Sequence, residues 1–203
     1  MRGLFSQSIR ALLIACGFLT IGYAIWSQYV SIASASTEEP YDYRDIQLAD
    51  QNGKAFSLSD FDDELVLVNF VFTGCATYCP VQTGALLTLY DDLRQKHPDK
   101  SFNFVSITLT PMFDRPRDMK AYAQRFSVVR DDWIFASGED AKIKDILRQL
   151  NVEVYYGERP RLDVLHETDV FVLGPVSPTA FRFEGIPLDH HGIANAFQQE
   201  ISE

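Results

Sequence analysis

Leu65-Val66-Leu67-Val68-Asn69-Phe70-Val71-Phe72, followed by Thr73-Gly74-Cys75-Ala76-Thr77-Tyr78-Cys79-Pro80, is the stretch on which the fold turns. Its first eight residues are β-branched, leucine or aromatic with one exception. No polar alternation interrupts them, so the run suits a strand covered on both faces, as in a parallel sheet. Pro80 is favoured at the first position of a helix, because the proline lacks an N–H that would have no partner there. Ala85/Leu86, Leu89 and Leu93 then recur at helical spacing until His97-Pro98 ends the pattern. The reading is strand, short loop, helix, with two cysteines in the loop and Cys79 as the cap residue, since the position before a proline disfavours the α region.

The flanking sequence repeats that alternation. Upstream, Ile46 to Ser59 reads as a hairpin turning at Gln51-Asn52-Gly53. Downstream, Phe102 to Thr110 is a second strand, and Asp114 with Pro116 starts a helix whose Met119, Tyr122, Ala123 and Phe126 share a face. Asp114 reads as the cap of that helix. Trp133-Ile134-Phe135 is a short strand, and Ile143, Ile146, Leu147 and Leu150 mark a third helix. Val170 to Leu173 and Thr179 to Phe183 form a hairpin around Gly174-Pro175-Val176-Ser177-Pro178, and Asp189 to Ile201 closes as a helix. Strands alternating with helices imply an α/β domain, a central mixed sheet with helices on its faces. The chain shows no internal repeat and no low-complexity tract.

Of 203 residues, 46% are hydrophobic and 23% charged, which is ordinary for a globular domain and excludes a disordered or polytopic membrane chain. Eighteen Lys and Arg against 28 Asp and Glu give −10. So acidic a chain lacks the basic face that nucleic-acid binding needs. The N-terminal 37 residues stand apart. No charge falls between Ala11 and Thr37, Ala11 to Trp26 is strongly apolar, Arg2 and Arg10 precede the run, and Glu38 and Glu39 follow it. A run of about 20 apolar residues spans a bilayer core, and this charge asymmetry holds the N-terminus in the cytoplasm with the remainder exported. Residues 1–37 are therefore read as a membrane anchor or signal segment. Ala33-Ser34-Ala35 has the pattern of a signal-peptidase site, so a cleaved, soluble periplasmic form stays open. Cys16 is a membrane-buried apolar residue in this reading. Beyond residue 35 the charge is −12, and the compartment is one where neighbouring cysteines can pair.

Three cysteines are too few for a disulfide-built scaffold. Cys75 and Cys79, four apart at a strand–helix junction, have chemistry instead. A helix N-terminus is partially positive and favours a thiolate. Three intervening residues leave a wide loop that can close as a disulfide or place two sulfurs around one soft ion. Two thiolates select Cu(I), with zinc as competitor. A structural disulfide, a metal pair and a redox pair are all compatible with the spacing.

The run from Asn69 through Thr83 resembles the signature of the Sco/SenC family of copper chaperones. The resemblance extends from about Tyr43 to the C-terminus. It implies a thioredoxin-like fold over residues 38–203, a copper ion as ligand, and delivery of copper to the copper centre of cytochrome c oxidase subunit II. A membrane tether follows from it too, and the chain is read as a monomer. In the family a distal histidine joins the cysteines, and Val164-Leu165-His166-Glu167-Thr168-Asp169-Val170-Phe171 matches that segment. The implied ligand set is Cys75, Cys79 and His166. His97, His190 and His191 are read as a helix stop and solvent-facing residues. Two segments depart from the family pattern: Thr110-Pro111-Met112-Phe113-Asp114-Arg115-Pro116 keeps only Asp114 and Pro116 of an acidic motif, and Gly174-Pro175 replaces an acidic turn. The rival reading is an exported thiol–disulfide oxidoreductase or peroxidase using Cys75 and Cys79 without metal. Redox thioredoxins place a cis-proline where this chain reads His166-Glu167-Thr168-Asp169, which favours the metal. A module that senses copper or oxidation through the same cysteines is a third possibility.

Overall fold

The computed structural model describes residues 42–175 and 180–201. The expected membrane segment lies outside them; among the described residues no helix is long and apolar enough to cross a membrane.

The N-terminal hairpin forms as expected. Strand β1 (Leu48–Ala49) runs antiparallel to β2 (Ala55–Phe56), with Leu48 opposite Phe56. Gly53 takes φ +82°, the left-handed region a glycine enters without steric cost. The hydrophobic run becomes β3 (Leu65–Val71), buried along its whole length. Helix α1 (Tyr78–Lys96) follows, then β4 (Phe102–Thr108), α2 (Pro116–Arg125), β5 (Trp133–Ala136) and α3 (Asp140–Gln149). Two three-residue strands, β6 (Val154–Tyr156) and β7 (Val164–His166), come next. The chain closes with β8 (Val170–Leu173), β9 (Phe181–Phe183) and α4 (His190–Glu200).

The main sheet has the order β5-β4-β3-β8-β9. Its β3, β4 and β5 are parallel, joined by crossover helices α1 and α2, while β8 and β9 return antiparallel. Its central position explains why β3 lacks polar alternation: neighbours occupy both edges and side chains both faces. Register puts Leu67, Asn69, Phe104, Ser106, Trp133 and Phe135 on one face. Tyr90 of α1 packs on Phe104 and Trp133 there, with ring centroids 5.4 and 5.8 Å apart, and Tyr122 of α2 packs on Phe135 at 5.9 Å. The architecture is the expected mixed sheet flanked by helices.

Two expectations are corrected, and one element was not expected. Helix α1 starts at Tyr78 with Thr77 as its cap, so Cys79 lies inside the first turn. Pro80 is then the third helical residue, where its missing N–H is still one of the four that have no intrahelical acceptor, and this overrides the local bias against α before proline. Asp114 does not cap α2. Arg115 holds that position, and its N–H donates to Asp118 Oδ2 at 3.1 Å. The β6–β7 pair has no counterpart in the sequence reading. It is a separate two-stranded sheet, Val154 opposite His166, joined by a charged connection from Gly157 to Asp163. Tyr155 and Leu165 on it are exposed, so apolar alternation does not track burial there. The turn expected between β8 and β9 falls partly on residues 176–179, outside those described.

Candidate thiol and metal site

The end of β3 leads into a tight approach. Cys75 N–H donates to the Phe72 carbonyl at 3.1 Å, folding the loop back on the strand. A Cβ at Gly74 would stand 2.1 Å from the carbonyl oxygen of Arg161, so only glycine lets the cysteine loop and the Gly157–Asp163 connection meet. Gly74→Ala is expected to destabilise the domain by about 1–3 kcal/mol, the usual range for forced overpacking. Chemical denaturation reads this as a lower midpoint, and an unchanged midpoint would contradict the contact.

Cys75 and Cys79 are free thiols, both buried. The N–H of Cys79 donates to Cys75 Sγ at 3.2 Å. The Cys75 thiol pKa is lowered to about 5, first because the Cys79 thiol donates to its sulfur, with the backbone N–H groups of Cys79, Thr77 and Tyr78 adding to the effect against the opposing cost of burial. In physical terms, Cys75 Sγ accepts from an N–H of the first turn of α1 and faces the partial positive charge of that turn. Cys79 moves the opposite way. Its pKa rises because it gives its proton to Cys75, and burial adds to that rise. The pair holds one proton and one charge between the two sulfurs. The charge is assigned to Cys75 and the proton to Cys79.

His166 ends β7, half-buried, with its ring edge-on to Phe72 at 6.1 Å between centroids. Its Nδ1 lies 2.6 Å from the Glu167 carbonyl oxygen. A carbonyl can only accept, so Nδ1 carries the hydrogen. Burial pushes the pKa of this imidazole below its usual value, while the Glu167 carbonyl and the Cys75 charge pull it back up. In the neutral ring, Nε2 keeps its lone pair. A backbone carbonyl fixing the tautomer is the arrangement found behind metal-bound histidines.

Cys75 and His166 line one open pocket of ≈ 690 Å³, together with Tyr78, Tyr155, Leu162 and Leu165. Cys79 is not among the lining residues. Among the described residues no three His, Cys, Asp or Glu side chains are placed so as to hold one metal ion. The structure thus pairs the two sulfurs, sets the imidazole in the same pocket, and does not close the three into one shell. The donor types suit a soft ion: two sulfurs sharing one proton, and an imidazole nitrogen with a free pair. The other histidines lie elsewhere. His97 caps the C-terminus of α1, and His190 Nε2 is 3.2 Å from Asp92.

One supporting residue was misread from sequence. The Asp114 carboxylate, fully buried, accepts from Thr73 N–H at 3.0 Å, from the hydroxyls of Thr108 and Thr110 at 2.7 Å each, and from the Thr73 hydroxyl. It fastens the ends of β3 and β4 two residues before Cys75. The available signal was the group of threonines at the ends of two adjacent hydrophobic runs.

A family model described as SCO1/SenC matches residues 35–195. The SCO1 protein homolog of Bacillus subtilis is 24% identical over 187 residues, 92% of this chain and 89% of the homolog. The solved structure of BsSco, described as a member of the Sco family of cytochrome c oxidase assembly proteins with a disulfide switch, superposes with a TM-score of 0.65 at 24% identity. It covers 76% of this chain and 90% of that one. Arabidopsis thaliana ScoI with copper bound gives a TM-score of 0.65 at 21% identity, over 77% of this chain and 96% of that chain. At these identities the structural likeness establishes the fold.

Proposed function

The chain belongs to the SCO1/SenC family, and from that premise we propose that it is a copper metallochaperone whose Cys75 and Cys79 take Cu(I) and whose His166 supplies a third donor. The observation that carries the reading is geometric: the Cys79 N–H donates to Cys75 Sγ at 3.2 Å, and Cys75 and His166 line one pocket. With the Cys75 pKa lowered to about 5 by the Cys79 thiol, an arriving Cu(I) would meet one formed ligand and displace one proton from Cys79 to complete the second. Thiolates are the ligands that select Cu(I), and an added imidazole suits Cu(II). The copper-bound ScoI of Arabidopsis thaliana supports the ligand. The description of BsSco as a cytochrome c oxidase assembly protein supports the client, cytochrome c oxidase subunit II or another exported copper-site protein. Tyr155, Leu162 and Leu165, exposed at the rim of the pocket, give that client an apolar surface beside the sulfurs. In this reading residues 1–37 tether residues 38–203, as a monomer, to the periplasmic side of the inner membrane, or are removed to free them.

Copper titration of the reduced chain tests it. We expect about one equivalent of Cu(I) bound, with affinity reduced by at least about a thousandfold in Cys75→Ala and in Cys79→Ala, since each removes one of two strong donors. His166→Ala should spare most Cu(I) binding and leave a Cu(II) complex that is at least about a hundredfold weaker, with a changed spectrum. A second reading has its own support: a thiolate with a pKa of about 5 beside a protonated partner is also a dithiol reductant. Copper affinity unchanged by loss of either cysteine, with rapid reduction of a model disulfide, would establish that reading instead.

A further inference from the structure

A line of buried amides and hydroxyls crosses the core and ends beside His166. Trp133 Nε1 donates to Ser106 Oγ at 3.1 Å, and Ser106 Oγ to Asn69 Oδ1 at 2.7 Å. Asn69 Nδ2 donates to Gln82 Oε1 at 3.2 Å, and Gln82 Nε2 donates to the Thr168 carbonyl. Every donor points the same way, from β5 through β4 and β3 into α1 and out to the segment after β7. Trp133, Ser106, Asn69 and Gln82 are each 1–2% exposed. None of their polar atoms lacks a partner, which is the condition under which a buried polar line strengthens itself rather than weakening the core.

The position of the last link is the informative feature. Gln82 lies three residues past Cys79 on α1, and Thr168 two residues past His166. Among the described residues, no other side-chain hydrogen bond joins α1 to residues 164–169. His166 itself sits on β7, which pairs only with β6 and not with the main sheet. The backbone at Gly185 lies against the link: a Cβ there would stand 1.7 Å from the Thr168 oxygen and 2.2 Å from Gln82 Nε2. A side chain at 185 would therefore have to part them.

We propose that Gln82 is a positioning residue for His166: through Thr168 it ties the imidazole-bearing segment to the helix that carries Cys79, and so decides whether a copper ion held by the sulfurs gains its third donor. The inference rests on the copper reading above. Gln82 is not among the proposed ligands and is 2% exposed. Its influence is on Cu(II), which needs the nitrogen, and not on Cu(I), which two thiolates hold.

The test uses the full-length chain, reduced and then loaded with Cu(II), compared with Gln82→Met, Gly185→Ala, His166→Ala and the double variant Gln82→Met/His166→Ala. Methionine keeps the length of the side chain and removes both hydrogen bonds. The readouts are the Cu(II)–thiolate absorption, the Cu(II) electron-spin spectrum, and competition affinities for both oxidation states. Thermal melts confirm that each variant is folded. We expect Gln82→Met and Gly185→Ala to lose at least about tenfold in Cu(II) affinity, the scale of lost support behind a ligand, and to shift the Cu(II) spectrum toward that of His166→Ala. Cu(I) affinity should stay within about threefold of the unaltered chain, and the double variant should be no worse than His166→Ala, because coupled residues are not additive. If Gln82→Met fails to fold, Gly185→Ala decides the matter on the same criteria. An unchanged Cu(II) spectrum in the folded variants, or a fully additive double variant, overturns the role of Gln82 and leaves the copper reading standing. No copper uptake by the unaltered chain overturns both.

Discussion

Replacing Asp114 by alanine is expected to lower the stability of the domain by about 3–5 kcal/mol, the range seen when a buried charged group and its partners are separated. The carboxylate is wholly buried and forms no ion pair among the described residues; four hydrogen bonds hold it instead. Alanine leaves the Thr73 N–H and the hydroxyls of Thr73, Thr108 and Thr110 without their acceptor. The hydroxyls can turn, but the backbone N–H cannot, so relaxation recovers only part of the loss. For a domain of this size the melting temperature should fall by roughly 10–15 °C. Asp114→Asn keeps one acceptor oxygen and should lose about half as much. A drop below about 1 kcal/mol in Asp114→Ala would mean that the threonines do not depend on the carboxylate. Thr73 stands two residues before Cys75, so we also expect Asp114→Asn to bind Cu(I) more weakly although it touches neither sulfur.

The second large effect is in the titration of the sulfurs. With a pKa of about 5, Cys75 is about three-quarters thiolate at pH 5.5, where an ordinary cysteine with pKa near 8.5 is ionised in about one molecule per thousand. A thiolate of low pKa is also a weaker nucleophile, by roughly 40-fold over that interval. The two effects leave Cys75 about 20-fold more reactive than a free cysteine at pH 5.5 and about equal to it near pH 7. Alkylation of the reduced protein should therefore level off above pH about 6 and modify Cys75 alone, since the Cys79 thiol is held protonated. A rate still climbing through pH 8, or labelling at Cys79, would contradict the assigned charge. Stability follows the same asymmetry. The folded-state pKa of Cys75 lies below its unfolded value, so its contribution is present above about pH 8.5 and is lost as pH falls through about 5. Cys79 has its folded-state pKa raised, so its contribution is present below the unfolded value and is lost as pH rises beyond it. The reduced domain should be most stable near pH 8–9.

The legible parts of this chain were those where one physical demand acts alone. A strand covered on both faces needs a continuous apolar run, and Leu65–Val71 announced both its identity and its central place. The helices of the body declared themselves by periodicity, and α1 and α4 ended close to their expected bounds. Cys75 and Cys79 stood out because two soft nucleophiles occupied a strand–helix junction. Which of them holds the charge was not legible, since that depends on where α1 begins, and the helix starts before Pro80 with the Cys79 N–H of its first turn donating back to Cys75 Sγ. Asp114 beside Pro116 satisfies the pattern of a helix start, yet Thr108 and Thr110 just before it and the distant Thr73 claim its carboxylate. The β6–β7 hairpin escaped because its outward Tyr155 and Leu165 break the usual link between apolar residues and burial. His166 was found through family resemblance; its tautomer and its place in the pocket needed three dimensions.

The donors of this site belong to parts of the fold with unequal anchorage. The sulfurs stand at the end of a strand with partners on both sides, whereas His166 stands on a two-stranded ribbon with ladder bonds to itself alone. Proteins open first where backbone pairing is short and exposed, and such excursions are far less demanding than global unfolding. Local opening of the ribbon would break the Tyr156–Leu109 and Gln82–Thr168 hydrogen bonds, leave the main sheet paired, and separate nitrogen from sulfur. Release of Cu(II), which needs the nitrogen, would then depend on the lifetime of that closed ribbon as well as on the two metal–sulfur bonds.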